Sequence, residues 1–275
     1  RMTQRNPAVY IPGRSTTANT DQRRILAEYG YASFREIVSS SNATYHSLQL
    51  SLNKRLSHGL TLMSSYTFGK FLDYWSGNNM GTTPQNPYNQ RADRGRSDYD
   101  RRHVFNMSIV YQLPAFGRQW LVRGALGGWE IAGMTSILSG PPVNITSGVD
   151  ASLTGVGFDR PDLAGNPVRG HSSRDDTIQR FFDTSAFVRN QPGYYGNVGR
   201  NLLNGPAQST TDVALVKVFP VGERFGNIRL RAEAFNVFNQ VNLGSPNGAL
   251  NNRNFGRILS AGSPRILQFA LRYAF

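Results

Sequence analysis

Apolar and polar residues alternate along this chain with a period of two, in segments of roughly ten residues, the length that crosses a bilayer as a tilted strand. From Ser47 to Leu56, the side chains of Leu48, Leu50, Leu52 and Leu56 share one face, and Ser47, Gln49, Ser51, Asn53 and Arg55 share the other. Past a loop of Ser57, His58 and Gly59, the residues Leu60, Leu62, Tyr66 and Phe68 oppose Thr61, Ser65, Thr67 and Gly69, which predicts a hairpin. A third segment sets Phe105, Met107, Ile109, Tyr111 and Leu113 against Asn106, Ser108, Val110 and Gln112, and stops at Pro114. A fourth sets Trp129, Ile131, Gly133, Thr135 and Ile137 against Glu130, Ala132, Met134 and Ser136. TTDVALVKVFP, NIRLRAEAFNVFN and RILQFALRYAF complete a set of seven. In the sixth, Ile228, Leu230, Ala232 and Ala234 share a parity that Phe235 and Val237 break, which suggests a bulge near Phe235.

The connections alternate strictly in length. Short ones fall at residues 57–59, 114–127 and 221–226, and long ones at 72–101, 139–207 and 240–264. Long loops on one rim and short turns on the other characterise an outer-membrane β-barrel, with the long loops outside and the turns in the periplasm. The expected fold class is therefore all-β, a transmembrane antiparallel barrel segment. A soluble β-sandwich has no reason to sort its loops this way. Because bacterial single-chain barrels have an even number of strands, seven strands read as the final third of a larger barrel. Residues 1–42 read as an incoming extracellular loop, with the barrel part at 43–275. The first residue, Arg1, likewise reads as the start of a piece cut from a longer chain.

Two lysines and a set of aromatics orient this picture. Lys54 and Lys217 fall on the apolar parity of their strands, where a charge costs ~2 to 4 kcal/mol at mid-bilayer and ~0 to 1 near an interface. Both lie within four residues of a short turn, so each is expected to snorkel to the periplasmic headgroups. Phe116, Trp120 and Trp129 suit a girdle at the short-turn rim, and Phe68, Phe71, Tyr74 and Trp75 one at the long-loop rim.

Composition narrows the function. No apolar run reaches the ~18 residues of a transmembrane helix, and charged residues make up only 17 % of the chain, too few for a disordered tail. Cysteine is absent, which removes thiol chemistry, disulfides and Cys-ligated metals. The net charge is +13, and nearly all of the cations are arginines. A basic chain suits nucleic acid or an anionic surface. Its densest run, Arg91 to His103, interleaves arginines with Asp93, Asp98 and Asp100, which are spaced for local pairing, so no nucleic-acid partner is expected. Asp98 and Asp100 offer hard oxygens, yet the glycine and terminal glutamate of an EF-hand are missing. His46, His58, His103 and His171 form no HExxH pair, and neither GxSxG nor a P-loop occurs, so no enzyme, catalytic residue, metal or cofactor is expected.

Six segments together resemble a known family. They are NATYHSLQLSLNKRLSHGLTLMSSYTFGKFLD, RSDYDRRHVFNMSIVYQLP, GWEIAGMTSILSGPPVNITSG, RPDLAGNPV with FFDTSAFV, GYYGNVGRNLLNGP, and RLRAEAFNVFNQVNLGSP. In this order they resemble the C-terminal barrel of Oar-like TonB-dependent receptors, large outer-membrane proteins with an N-terminal carboxypeptidase-regulatory-like domain and a plug. The resemblance covers about residues 42–275. It implies a barrel of about 22 strands with a plugged lumen, located in the bacterial outer membrane, contacting its lipid, and energised by the TonB complex for uptake of an unknown extracellular ligand. Nothing in this sequence corresponds to the plug or the TonB box, so contact with TonB belongs to a missing N-terminal part.

Three groups of residues are candidate sites. Phe269, Leu271, Tyr273 and Phe275 alternate toward an aromatic terminus and resemble the signal read by the outer-membrane assembly machinery, while also serving as a lipid-facing strand. Arg229, Arg231 and Glu233 share the lumen face of the sixth strand, either as a hydrated wall that bonds to the plug and neighbouring strands or as a ligand gate. The long 139–207 connection carries Phe158, Arg160, Phe181, Phe182, Tyr194 and Tyr195, suited either to gripping an extracellular ligand or to packing on itself as a lid. The rival to a receptor is a structural or adhesive outer-membrane barrel that binds surfaces through its loops.

Overall fold

The protein is described by a computed structural model over residues 2–76, 84–114, 127–157, 159–222 and 226–274. Seven long strands carry it: β1 (Ala43–Ser57), β2 (Leu60–Asp73), β3 (His103–Gln112), β4 (Trp129–Leu138), β5 (Gln208–Gly222), β6 (Gly226–Phe235) and β7 (Ile266–Ala274). They form one antiparallel meander in chain order, each strand paired with the next. A two-residue strand, Gly95–Arg96, pairs with the end of β2 at Leu72 and Asp73.

The register carries the alternation across the whole sheet. One row runs Leu50, Tyr66, Phe105, Ile137 and Ser209. A lower one runs Tyr111, Ile131, Leu215, Ala232 and Phe269. On the opposite face a row runs Ser51, Ser65, Asn106, Ser136 and Thr210. A one-residue slip at any seam would move apolar side chains to the wrong face, and the pairing of β2 through β7 shows none across the strand centres. The apolar face remains outward: Leu48, Leu52, Phe269 and Leu271 are all exposed.

The β1–β2 turn is tighter than the sequence suggests. Ser57 pairs with Leu60, which leaves His58 and Gly59 as a two-residue loop, with φ of 52° and 77°. Positive φ at both positions is what a hairpin turn needs to match strand twist. A Cβ on Gly59 would also lie 2.4 Å from the Gln112 carbonyl oxygen.

The irregularity in the sixth strand is a strand end. Pairing of β6 with β7 is unbroken from Asn227 to Phe235. Asn236 and Asn239 then adopt φ of 51° and 49°, and the Asn236 side chain donates to the carbonyls of Gln240 and Ser263. Asparagine tolerates this left-handed conformation because its short amide bonds locally. The register breaks that do occur lie at Lys54/Ser57 in β1 and Pro220/Gly222 in β5, both beside short turns.

Lys217 departs from the expected snorkel. It is buried, its ammonium donates to the Gly127 carbonyl, and it lies 5.3 Å from the Trp129 ring centroid and 5.1 Å from that of Phe219. Aromatic faces and a backbone carbonyl take the place of headgroups in solvating the charge. Lys54 stays exposed on the apolar face opposite Leu62. Of the expected aromatics at the long-loop rim, only Phe68 stands on the apolar face. Phe71 has the opposite parity and packs edge-on against Tyr45 at 5.8 Å, while Tyr74 and Trp75 follow the end of β2. Trp129 is on the apolar face at the other rim, and Phe116 and Trp120 lie outside the described residues.

The three long connections, between β2 and β3, β4 and β5, and β6 and β7, fold together at one rim into a cap with its own core. Val143, Ile145, Phe182, Ala186, Phe187, Val198 and Leu203 are buried there, with Phe181, Leu250 and Phe255 packed against them. Phe182, Phe187 and Phe255 meet edge-on, with centroids 5.1–5.9 Å apart, the geometry ring quadrupoles favour. A short helix α1 (Arg174–Gln179) begins at Ser173, whose hydroxyl accepts from the Asp176 N–H at 3.1 Å. The segment before β1 docks on the same cap, through Ala8 N–H to the Thr154 carbonyl and Arg23 to that of Leu153.

Candidate functional site

Two surfaces carry the candidate residues: the cap at the long-loop rim and the polar face of the sheet. In the cap, the six candidates scatter into different roles. Phe182 is fully buried and Phe181 packs against the same core, so both hold the cap together and are withdrawn from any external ligand. Arg160 is buried too, its Nη1 donating to Asp93 at 2.6 Å, Nε to the Val198 carbonyl at 2.7 Å and Nη2 to that of Ala92 at 3.0 Å. Tyr194 is 63 % exposed, the one open ring of the group among the described residues. Tyr195 is half-buried beside Thr154, and burial pushes its phenol up to about 12. Phe158 lies outside the described residues.

The pairing of the acidic run is also corrected. Asp93 pairs with Arg160, 67 residues away, and Asp73 with Arg200, 127 residues away. Asp98 accepts from Asn201 at 2.7 Å and lies 3.6 Å from Arg200, while Asp100 accepts from the Phe71 N–H at 2.7 Å. The expected local pairs within Arg91 to His103 give way to these because the 139–207 connection brings its own arginines down onto the run. Arg96 points the other way, donating to the carbonyls of Asn201 and Leu203. Ion pairs this buried stabilise only with further hydrogen bonds around them, and Arg160 makes two beyond Asp93, to the Val198 and Ala92 carbonyls.

One cap group was silent in the sequence. Asp159 is buried, with one oxygen accepting from Ser152 N–H at 2.6 Å and the other from its hydroxyl at 3.0 Å. Burial, with Asp150 adding its charge, outweighs these hydrogen bonds and pushes the carboxyl up to about 6. Asp150 bonds the same hydroxyl at 3.2 Å. The spacing DASLTGVGFD gave no hint that its first and last carboxylates share a serine.

On the polar face, the register places Arg229, Arg231 and Glu233 on one side. Arg231 donates to Glu233 at 2.7 Å, and Arg229 lies 3.7 Å from Glu130 of β4. Sequence reasoning passed over Arg272, which stands directly across from Arg229 on β7. Its parity was visible, but its partner was not. Phe269, Leu271 and Tyr273 line the apolar face of β7, all more than half exposed, while Phe275 lies outside the described residues. Among the histidines, His103 meets the Tyr66 hydroxyl at 2.8 Å on the apolar face. No group of three metal-ligating side chains occurs among the described residues.

The chain matches the family model described as outer membrane beta barrel domain over residues 1–268. Among solved structures it is similar to P. aeruginosa FpvA bound to heterologous pyoverdines, at 10 % identity and a TM-score of 0.44, over 98 % of this chain and 23 % of that one. The chain thus spans about a quarter of the length of that structure. No curated protein matches.

Proposed function

Since the chain belongs to the outer membrane beta barrel domain family, and so to the bacterial outer membrane, we propose that it forms part of the wall and the outer cap of a TonB-dependent receptor that takes up a ligand from outside. The observation that carries this reading is the pairing of the two sheet faces. The apolar face is built for lipid. The opposite one presents Gln49, Asn106, Gln112, Glu130, Asp212, Arg229, Glu233 and Arg272, a surface suited to a hydrated or protein-filled interior. Likeness of the six segments to Oar-like receptors adds the energy source, which a polar wall alone does not specify. In this reading the chain binds and conducts, without covalent chemistry, and Phe269, Leu271, Tyr273 and Phe275 are offered to the assembly machinery.

A specific observation supports the adhesive reading as well. The cap is packed on its own core and leaves Tyr88, Tyr99 and Tyr194 turned outward, a surface fit to bind without transporting. Whole cells expressing the full-length protein separate the two. Labelled ferric siderophores, cobalamin, oligosaccharides and peptides are offered with TonB intact and with TonB deleted. Uptake that needs TonB, with surface binding that persists without it, supports the receptor. Binding without uptake in both strains supports adhesion.

A further inference from the structure

Arg229 of β6 and Arg272 of β7 are direct cross-strand partners, and both lie on the polar face of the sheet. Like charges directly opposite on a sheet destabilise it, so the pair calls for an anion. Among the described residues the wall does not supply one in full. Glu130 reaches Arg229 only at 3.7 Å, and Glu233 is engaged with Arg231 at 2.7 Å. Asp212 accepts from the Asn236 N–H at 2.8 Å. The Arg229 Nε is buried with no acceptor, and Arg272 meets no carboxylate or carbonyl among the described residues. Farther along the same face, from Arg231 onward, small side chains open a recess of about 280 Å³ floored by Ala132 and Ala214 and flanked by Asp212, Arg231 and Glu233.

We propose that Arg229 and Arg272 clamp one carboxylate of a polypeptide segment lodged in the barrel interior, next to the short-turn rim, with that segment's backbone seated in the recess. This rests on the receptor reading, in which the interior is filled. Two planar guanidinium groups on neighbouring strands match the two oxygens of a carboxylate. A packed segment also excludes water, which strengthens the contact far beyond what a free anion would gain on so exposed a pair. The recess over Ala132 and Ala214 lets a backbone approach the wall closely.

The test uses the full-length protein in outer membranes, with a photo-cross-linking amino acid at Ala270, which neighbours the clamp on the same face. The expected product joins Ala270 to an Asp- or Glu-bearing peptide outside the barrel strands. Replacing both arginines by glutamine should cut its yield roughly tenfold or more, as expected for losing charge-assisted hydrogen bonds. Replacing both by lysine should keep more of it. Arg272→Glu combined with an acid-to-arginine change in the captured peptide should restore it. Heat-modifiable gel mobility checks that each variant is folded. Capture at full yield without the arginines, or capture only of a neighbouring wall strand, overturns the clamp and leaves the receptor reading standing. No capture, with open-pore conductance in planar bilayers, overturns both.

Discussion

The sheet and the cap solve the same problem by opposite means. In the sheet, neighbours are set by register, and the backbone ladder satisfies its own polar groups, as a wall in lipid must. Side chains there need only be apolar on one face and polar on the other. In the cap, little regular structure exists to satisfy the backbone, so arginine side chains do it. Arg96, Arg160 and Arg200 each reach two or more acceptors on distant segments, and Arg23 reaches one, the Leu153 carbonyl. The comparison teaches what these cap arginines do: they are internal mortar rather than a surface for anions.

That contrast can be broken by mutation, and the largest effect is expected in the cap. Arg160→Ala strands Asp93 in a buried site, so cap amides should lose about 3–5 kcal/mol of protection. Hydrogen exchange on the full-length protein reads it, with sheet amides unchanged. A double change, Arg160→Met with Asp93→Leu, should recover most of the loss; equal loss in the double variant would falsify the ion-pair account.

In the sheet, the sharpest test uses two adjacent serines at the middle of β2. Ser64 lies in the row of Leu52 and Met107, and Ser65 in that of Ser51 and Asn106. Ser64→Arg should cost ~2 to 4 kcal/mol in urea unfolding from phospholipid vesicles, as for a cation at mid-bilayer. Ser65→Arg should be nearly silent. Equal costs would mean that the faces are assigned wrongly.

A smaller, pH-dependent effect belongs to Asp159. Its carboxyl titrates near 6 in the folded cap, above the ordinary 3.8, so between those values the folded state holds the extra proton. Cap stability should therefore fall as pH rises from about 4 to 6, by at most on the order of 3 kcal/mol. Exchange protection measured at pH 4.5 and 7 checks the sign, and Asp159→Asn should flatten the difference. The smallest effect is expected at the half-exposed Arg231–Glu233 pair. There Arg231→Ala should change vesicle unfolding by less than about 1 kcal/mol.

Legibility followed the same divide. Leu267, Phe269, Leu271 and Tyr273 could be placed on one face from spacing alone, because a strand has period two wherever it sits. The end of β6 at Phe235 was harder, since a parity break looks alike whether a strand bulges or stops. Phe182 and Tyr194 looked equivalent in the sequence, both aromatic and both in a long connection. One is core and the other surface because Phe187 of its own connection and Phe255 of the connection between β6 and β7 both close on the first.

What the sequence determined by itself was the membrane-spanning architecture: seven strands, their lipid face, and the rim that bears the long loops. Each of these follows from local alternation and loop length, which need no knowledge of distant partners. Only the tertiary structure decided the role of the arginines, the burial of Lys217 between Trp129 and Phe219, and the confrontation of Arg229 with Arg272. Those depend on which side chains meet through space, and for charged groups the partner and the surrounding dielectric set the energy far more than the residue type does.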